Sequence, residues 1–128
     1  MARYPLIFLA DDDVDDQMLF LEALAEINAA IRCIIATNGE EALNYFKQKT
    51  DQLPDFIFLD LNMPRMSGLK CLAELKKMDI IKNIPVIMYS TSAQQDYIEK
   101  SLQLGAQHFF VKPTNFSGLT QFLRQLLH

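Results

Sequence analysis

Apolar residues fall into five short blocks along this chain. Each block is followed by a stretch whose apolar positions recur every three or four residues. The blocks are Leu6–Ala10 (LIFLA), Ile31–Ala36 (IRCIIA), Asp55–Leu59 (DFIFL), Pro85–Ser90 (PVIMYS) and His108–Val111 (HFFV). Most are apolar throughout rather than alternating, as strands of a parallel sheet covered on both faces must be. The stretches between them read as helices. Val14, Met18, Leu21 and Ala25 form one stripe in the first, and Phe116, Leu119, Leu123 and Leu126 form one in the last. Thr37–Glu40 (TNGE) and Ser92–Gln95 (SAQQ) have capping-box spacing, and Ser67 fits an N-cap before GLKCLAELKK. Gly105 fits a helix stop ahead of the fifth block.

Five strand–helix units in succession predict an α/β fold: a doubly wound five-stranded parallel sheet with five helices and right-handed crossovers. The leading topology is the flavodoxin-like order 2-1-3-4-5. In such sheets ligands bind outside the carboxyl ends of the strands, at the point where the order reverses. The residues that follow strands one, three, four and five therefore carry the functional expectation.

Those strand ends supply Asp11, Asp12 and Asp13, then Asp60, then Ser90 and Thr91, then Lys112 with Pro113. Hard carboxylate oxygens for a divalent cation, a hydroxyl and an ammonium for an anion converge on one edge. Residues 11–16 hold five aspartates. Two carboxylates about 4 Å apart repel by about 4 kcal/mol at an effective dielectric near 20, so the cluster must splay into water, bind a cation or take up protons. Asp13, Asp15 and Asp16 read as acids favoured by a helix N-terminus. Asp11 and Asp12 sit at the strand end beside Asp60 and read as a metal site. An EF-hand register over Asp11–Glu22 fails, because its sixth position is Asp16 where the turn requires glycine.

Composition narrows the setting. The 128 residues are 50% hydrophobic and 22% charged, the make-up of one globular domain, with no linker, repeat or low-complexity segment. A net charge of -4 and a pI near 5.0 argue against a nucleic-acid-binding surface. Cys33 and Cys71 lack metal-ligand spacing and read as reduced core residues. The longest early apolar run, YPLIFLA, is too short for a signal peptide or a membrane span. A cytoplasmic protein without membrane association is expected.

Four segments carry a resemblance: ADDD after strand one, FLDLNMPRMSG (Phe58–Gly68), PVIMYSTSA (Pro85–Ala93) and GAQHFFVKP (Gly105–Pro113). In order and spacing the chain resembles bacterial two-component response-regulator receiver domains of the stand-alone kind. That resemblance implies that Asp60 accepts a phosphoryl group from a histidine kinase or histidine phosphotransfer protein. It implies Mg²⁺ held by Asp12, Asp60 and the backbone carbonyl of Asn62, with Asp11 acting largely through water. Lys112 would pair with the phosphoryl oxygens and Ser90 would donate its hydroxyl to one. Ser90 and Phe109 would form the switch, and the Lys112–Pro113 bond would be cis. The chemistry agrees, since phosphoryl transfer is mostly positioning and charge neutralisation, and Mg²⁺ favors one or two carboxylates plus phosphate oxygens.

Phe109 lacks the hydroxyl of the tyrosine often found at its position, and Ser67 stands where an aspartate is frequent. The residues after Pro113 suffice for one helix, so no output domain is expected and signal would leave through a protein–protein surface. Helix four is the most polar and should shift most readily. The alternatives are a degenerate receiver that binds partners without phosphorylation, and a phosphoaspartate-type hydrolase using Asp11 and Asp13.

Overall fold

The computed structural model describes residues 4–48, 52–92 and 94–127. Strands β1 (Leu6–Ala10), β2 (Arg32–Ala36), β3 (Phe56–Leu59), β4 (Val86–Ser90) and β5 (His108–Val111) alternate with helices. The helices are α1 (Val14–Ile27), α2 (Gly39–Lys47), α3 (Gly68–Leu75), α4 (Gln95–Gln103) and α5 (Phe116–Leu126). All strand pairs are parallel and the order is β2-β1-β3-β4-β5, as the pattern predicts. Three strands start one residue later than expected, at Arg32, Phe56 and Val86.

Alternate residues of each strand feed two cores. Phe8, Ala10, Ile57, Leu59, Val86 and Met88 face α2 and α3, and Tyr97 of α4 and Leu104 just after it lean on the same side. Ile7, Leu9, Phe58, Ile87 and Tyr89 face α1 and α5. The second core is rich in rings: Phe20 meets Phe58 edge-on at 5.0 Å, and Phe110 stacks between Tyr89 at 5.9 Å and Phe122 at 3.7 Å. Each large apolar side chain so buried contributes roughly 1.5–3 kcal/mol.

Helix α1 turns the opposite way from the predicted stripe. Phe20, Ala23 and Leu24 are buried. Val14, Met18 and Leu21 remain 63%, 54% and 40% exposed, and Ala25 is exposed too. The helix carries two apolar stripes, and the one containing the phenylalanine buries more area. The α5 stripe is as predicted, with Leu119 and Leu123 fully buried. Helix α4 has a single buried residue, Ser101, whose hydroxyl donates to the Tyr97 carbonyl at 2.7 Å, in line with its polar sequence.

Two capping expectations shift. Asn38, not Thr37, caps α2 by accepting the Glu41 N–H at 2.8 Å, while the Glu41 carboxylate reaches back to the N–H and hydroxyl of Thr37. The box exists, one residue later, because asparagine is at least as good an acceptor there. Ser92 does not cap α4; its own N–H donates to the Ser90 hydroxyl at 3.2 Å, and Gln94 holds the cap position without a side-chain bond. Ser67 caps α3 as expected, at 3.3 Å from the Lys70 N–H. Gly105, at φ 105°, ends α4, and paired N–H bonds from Gly105 to Leu102 and from Ala106 to Ser101 close the turn.

Candidate functional site

Three backbone bonds carry the sheet ladder one residue past the strand ends. The Asp11 N–H donates to Ala36 at 3.0 Å, that of Asp60 to Ala10 at 2.9 Å, and that of Lys112 to Ser90 at 2.8 Å. These bonds, rather than any side-chain contact, align the three residues on one edge. An open pocket of about 460 Å³ lies there, lined among others by Asp12, Asp16, Asp60, Asn62, Thr91 and Lys112.

The Lys112 ammonium is the centre of the site. Its side chain is 7% exposed and touches the Asp11 and Asp16 carboxylates at 2.8 Å each and that of Asp60 at 3.2 Å. An ammonium has three N–H donors, so these acceptors match its full capacity. Beneath it lies the Tyr89 ring, with 5.1 Å from nitrogen to centroid. Burial pulls against the charge, yet hydrogen bonds to Asp11 and Asp16 and the nearby Asp60 charge hold the ammonium above its ordinary pKa.

Asp11 is fully buried, and burial pushes its carboxyl up to about 6, against the opposing pull of Lys112 and of the Asp13 N–H. Its backbone carbonyl accepts from the Gln17 side chain at 2.5 Å. Asp12 is exposed at the mouth. Oxygens of Asp11, Asp12 and Asp60 all come within 4.8 Å of one another, and a buried carboxyl whose charge is disfavoured by burial is what a cation would relieve. The donor set is hard oxygen throughout, which suits Mg²⁺ or Mn²⁺. The residues fit such an ion.

Asp60 is 7% exposed and takes the Asn62 N–H at 3.4 Å. Its backbone is fixed by a close approach: the Gly68 N–H donates to Leu61 at 2.8 Å, and a Cβ on Gly68 would collide with the Asp60 carbonyl. Just before it, Arg65 adopts φ 68°, with the Met66 N–H donating to Pro64 at 2.7 Å, a tight three-residue turn.

The sequence-predicted residues therefore divide. Asp11, Asp60 and Lys112 touch, and Asp12 and Asn62 border the same pocket. Ser90 lies fully buried behind it, with its hydroxyl engaged by the Ser92 N–H, and exposed Thr91 lines the pocket instead. Phe109 is half-buried toward α4, packed on the core that includes Tyr97. Every peptide bond among the described residues is trans, Lys112–Pro113 included, against the expectation of cis. Trans is the lower form of an X–Pro bond by about 0.5–1 kcal/mol. Asp16, read from sequence as a solvated helix acid, is instead a direct partner of Lys112. Asp13 is the N-cap of α1, accepting the Asp16 N–H at 3.0 Å.

Residues 7–124 match the family model of the response regulator receiver domain. The chain belongs to that family. This receiver domain is 29% identical over 119 residues to the probable C4-dicarboxylate response regulator DctR of Bacillus subtilis (strain 168), a match spanning 93% of this chain and 50% of that one. It is also 29% identical over 123 residues to the response regulator Rcp1 of Synechocystis sp. (strain ATCC 27184 / PCC 6803 / Kazusa), spanning 93% and 84%. The crystal structure of the phosphorylated cyanobacterial phytochrome response regulator RcpA superposes with a TM-score of 0.87 at 35% identity, covering 96% of this chain and 91% of that one. The Mn²⁺-bound form of Rcp1 gives 0.84 at 28% identity, covering 95% and 91%. Receiver domains are phosphoacceptor modules of two-component signalling and interact with histidine kinases or phosphotransfer proteins. No helix among the described residues is long and apolar enough to cross a membrane.

Proposed function

We propose that this receiver domain takes a phosphoryl group onto Asp60 from a histidine kinase or histidine phosphotransfer protein, and signals the change through the face made by α4, β5 and α5. One observation carries the reading: Lys112 gathers Asp60 and Asp11 at the base of an open pocket bordered by Asp12 and Asn62. A carboxylate oxygen of Asp60 forms a bond to phosphorus as the P–N bond of phosphohistidine breaks, and the electron pair returns to the imidazole. Asp11, Asp12, Asp60 and the Asn62 carbonyl would hold Mg²⁺, which offsets the negative charge gathered on the phosphoryl oxygens. Lys112 turns one N–H from a carboxylate to a phosphoryl oxygen. The Ser90 hydroxyl accepts from the Ser92 N–H and keeps its own proton to donate to a second phosphoryl oxygen, and the shift of Ser90 toward the phosphoryl group lets Phe109 turn inward.

The donor protein docks on α1. Val14 lines the pocket, and the exposed stripe of Val14, Met18 and Leu21 runs away from it along the helix. A helix of the donor laid on this stripe would bring its histidine over Asp60.

The test is labelling by phosphoramidate with Mg²⁺, read as the mass gain of one phosphoryl group per chain. Wild type should label and Asp60→Asn should not, with unchanged circular dichroism. Labelling of Asp60→Asn at the wild-type rate would remove the assignment. No labelling of the wild type would favor a phosphorylation-independent binding module, and sustained turnover of phosphoesters a hydrolase.

A further inference from the structure

The three acceptors around the Lys112 ammonium are not equivalent. Asp11 and Asp60 belong to the carboxylate group whose oxygens lie within 4.8 Å of one another, together with Asp12; Asp16 lies outside it. A cation in that group would draw on the charge of Asp11 and Asp60. Phosphorylation would then convert Asp60 into an acyl phosphate. Asp16 is the one of the three whose full negative charge stays available to Lys112 throughout.

Asp16 is also braced at its backbone. It sits in the first turn of α1, its N–H held by the Asp13 side chain at 3.0 Å. The next residue, Gln17, ties that turn to β1 through the Asp11 carbonyl. Its neighbor Asp15 is exposed and serves the ordinary role of an acid at a helix N-terminus. Asp16, at 2.8 Å from an almost buried ammonium contributed by the far end of the chain, has a different partner. The Tyr89 ring closes the floor under the same nitrogen.

We propose that Asp16 is a positioning residue for Lys112, holding its ammonium against the α1 wall so that it stays aimed at Asp60 when a cation and a phosphoryl group arrive. This rests on the phosphoacceptor reading for its consequence, but not for its geometry. A lysine on a flexible four-carbon stem, deprived of its metal-bound acceptors, would otherwise leave for water.

Two measurements test it. The first follows the Lys112 side-chain NH₃⁺ signal by ¹H–¹⁵N NMR at saturating Mg²⁺. Wild type should show a resolved, slowly exchanging signal, and Asp16→Ala should lose it; an unchanged signal in Asp16→Ala overturns the proposal. The second is a double-mutant cycle on the phosphoramidate labelling rate, with Asp16→Ala, Lys112→Ala and the pair. Asp16→Ala should slow labelling by about tenfold in the wild-type background, a loss comparable to one charge-assisted hydrogen bond, and have no further effect once Lys112 is alanine. An equal slowing in both backgrounds would mean that Asp16 acts by its own charge or through the fold. Unchanged or faster labelling would make it a bystander or a restraint. Each of these overturns the proposal. Should the wild type fail to label, the phosphoacceptor reading falls by itself, and the NH₃⁺ signal still decides the role of Asp16.

Discussion

At the scale of single residues, the site is a balance between one ammonium and several carboxylates, and pH should expose it. The Asp11 carboxyl rises from 3.8 to about 6 on folding, with burial as the first cause. Between about pH 4 and 6 the unfolded chain has lost this proton while the folded one keeps it, so folding stability falls as pH rises through that window. At about 1.4 kcal/mol per pKa unit the loss is on the order of 3 kcal/mol. Mg²⁺ selects the ionised form, so its stabilisation should be weak near pH 4 and largest above 6. Urea midpoints measured across this range, with chelator and with Mg²⁺, check both statements. Most of these residues were legible in sequence because a strand end is a fixed address: Asp11, Asp60 and Lys112 each follow an apolar block. Asp16 was not. Its role depends on which way the first turn of α1 faces, and that is decided by Phe20 and Leu24, which follow Asp16 at i+4 and i+8 on the same face of the helix and are buried in the core.

At the scale of elements, the junction of β3 and α3 holds the site. Gly68 begins α3 directly against the Asp60 carbonyl, with no room for a Cβ. Gly68→Ala should therefore cost roughly 1–3 kcal/mol of stability by overpacking. It should also slow labelling of Asp60, because the strand end must move to make space. Chemical denaturation and labelling rates on one preparation measure both effects, and a loss of stability at full labelling rate would uncouple the junction from the site. The existence of each element was readable from apolar blocks and helical periods. Finer features were not. Asn38 rather than Thr37 caps α2, and α1 buries its second stripe, because in each case two adjacent solutions fit the sequence, and acceptor chemistry chose between them at the cap and packing in α1.

At the scale of the whole molecule, topology was the most legible feature, since five βα units with apolar strands leave few arrangements that bury both faces of a sheet. What the sequence concealed was the apolar stripe left outside. If α1 receives the donor protein, Met18→Asp should leave labelling by phosphoramidate at the wild-type rate, since Met18 lies outside the pocket lining, and should slow transfer from a phosphorylated donor protein by about tenfold or more, the size of an interface anchor. Equal rates from the donor for both proteins would move the docking face elsewhere. The floor of the site has a further consequence. The chain has four tyrosines and no tryptophan, and Tyr89 is the ring directly under the Lys112 ammonium. No indole is present to drain its excitation. Exchange of a carboxylate for a phosphoryl oxygen at the ammonium alters the field on that chromophore, so the ultraviolet emission of the unlabelled protein should report, in real time, each moment at which the lysine changes partners.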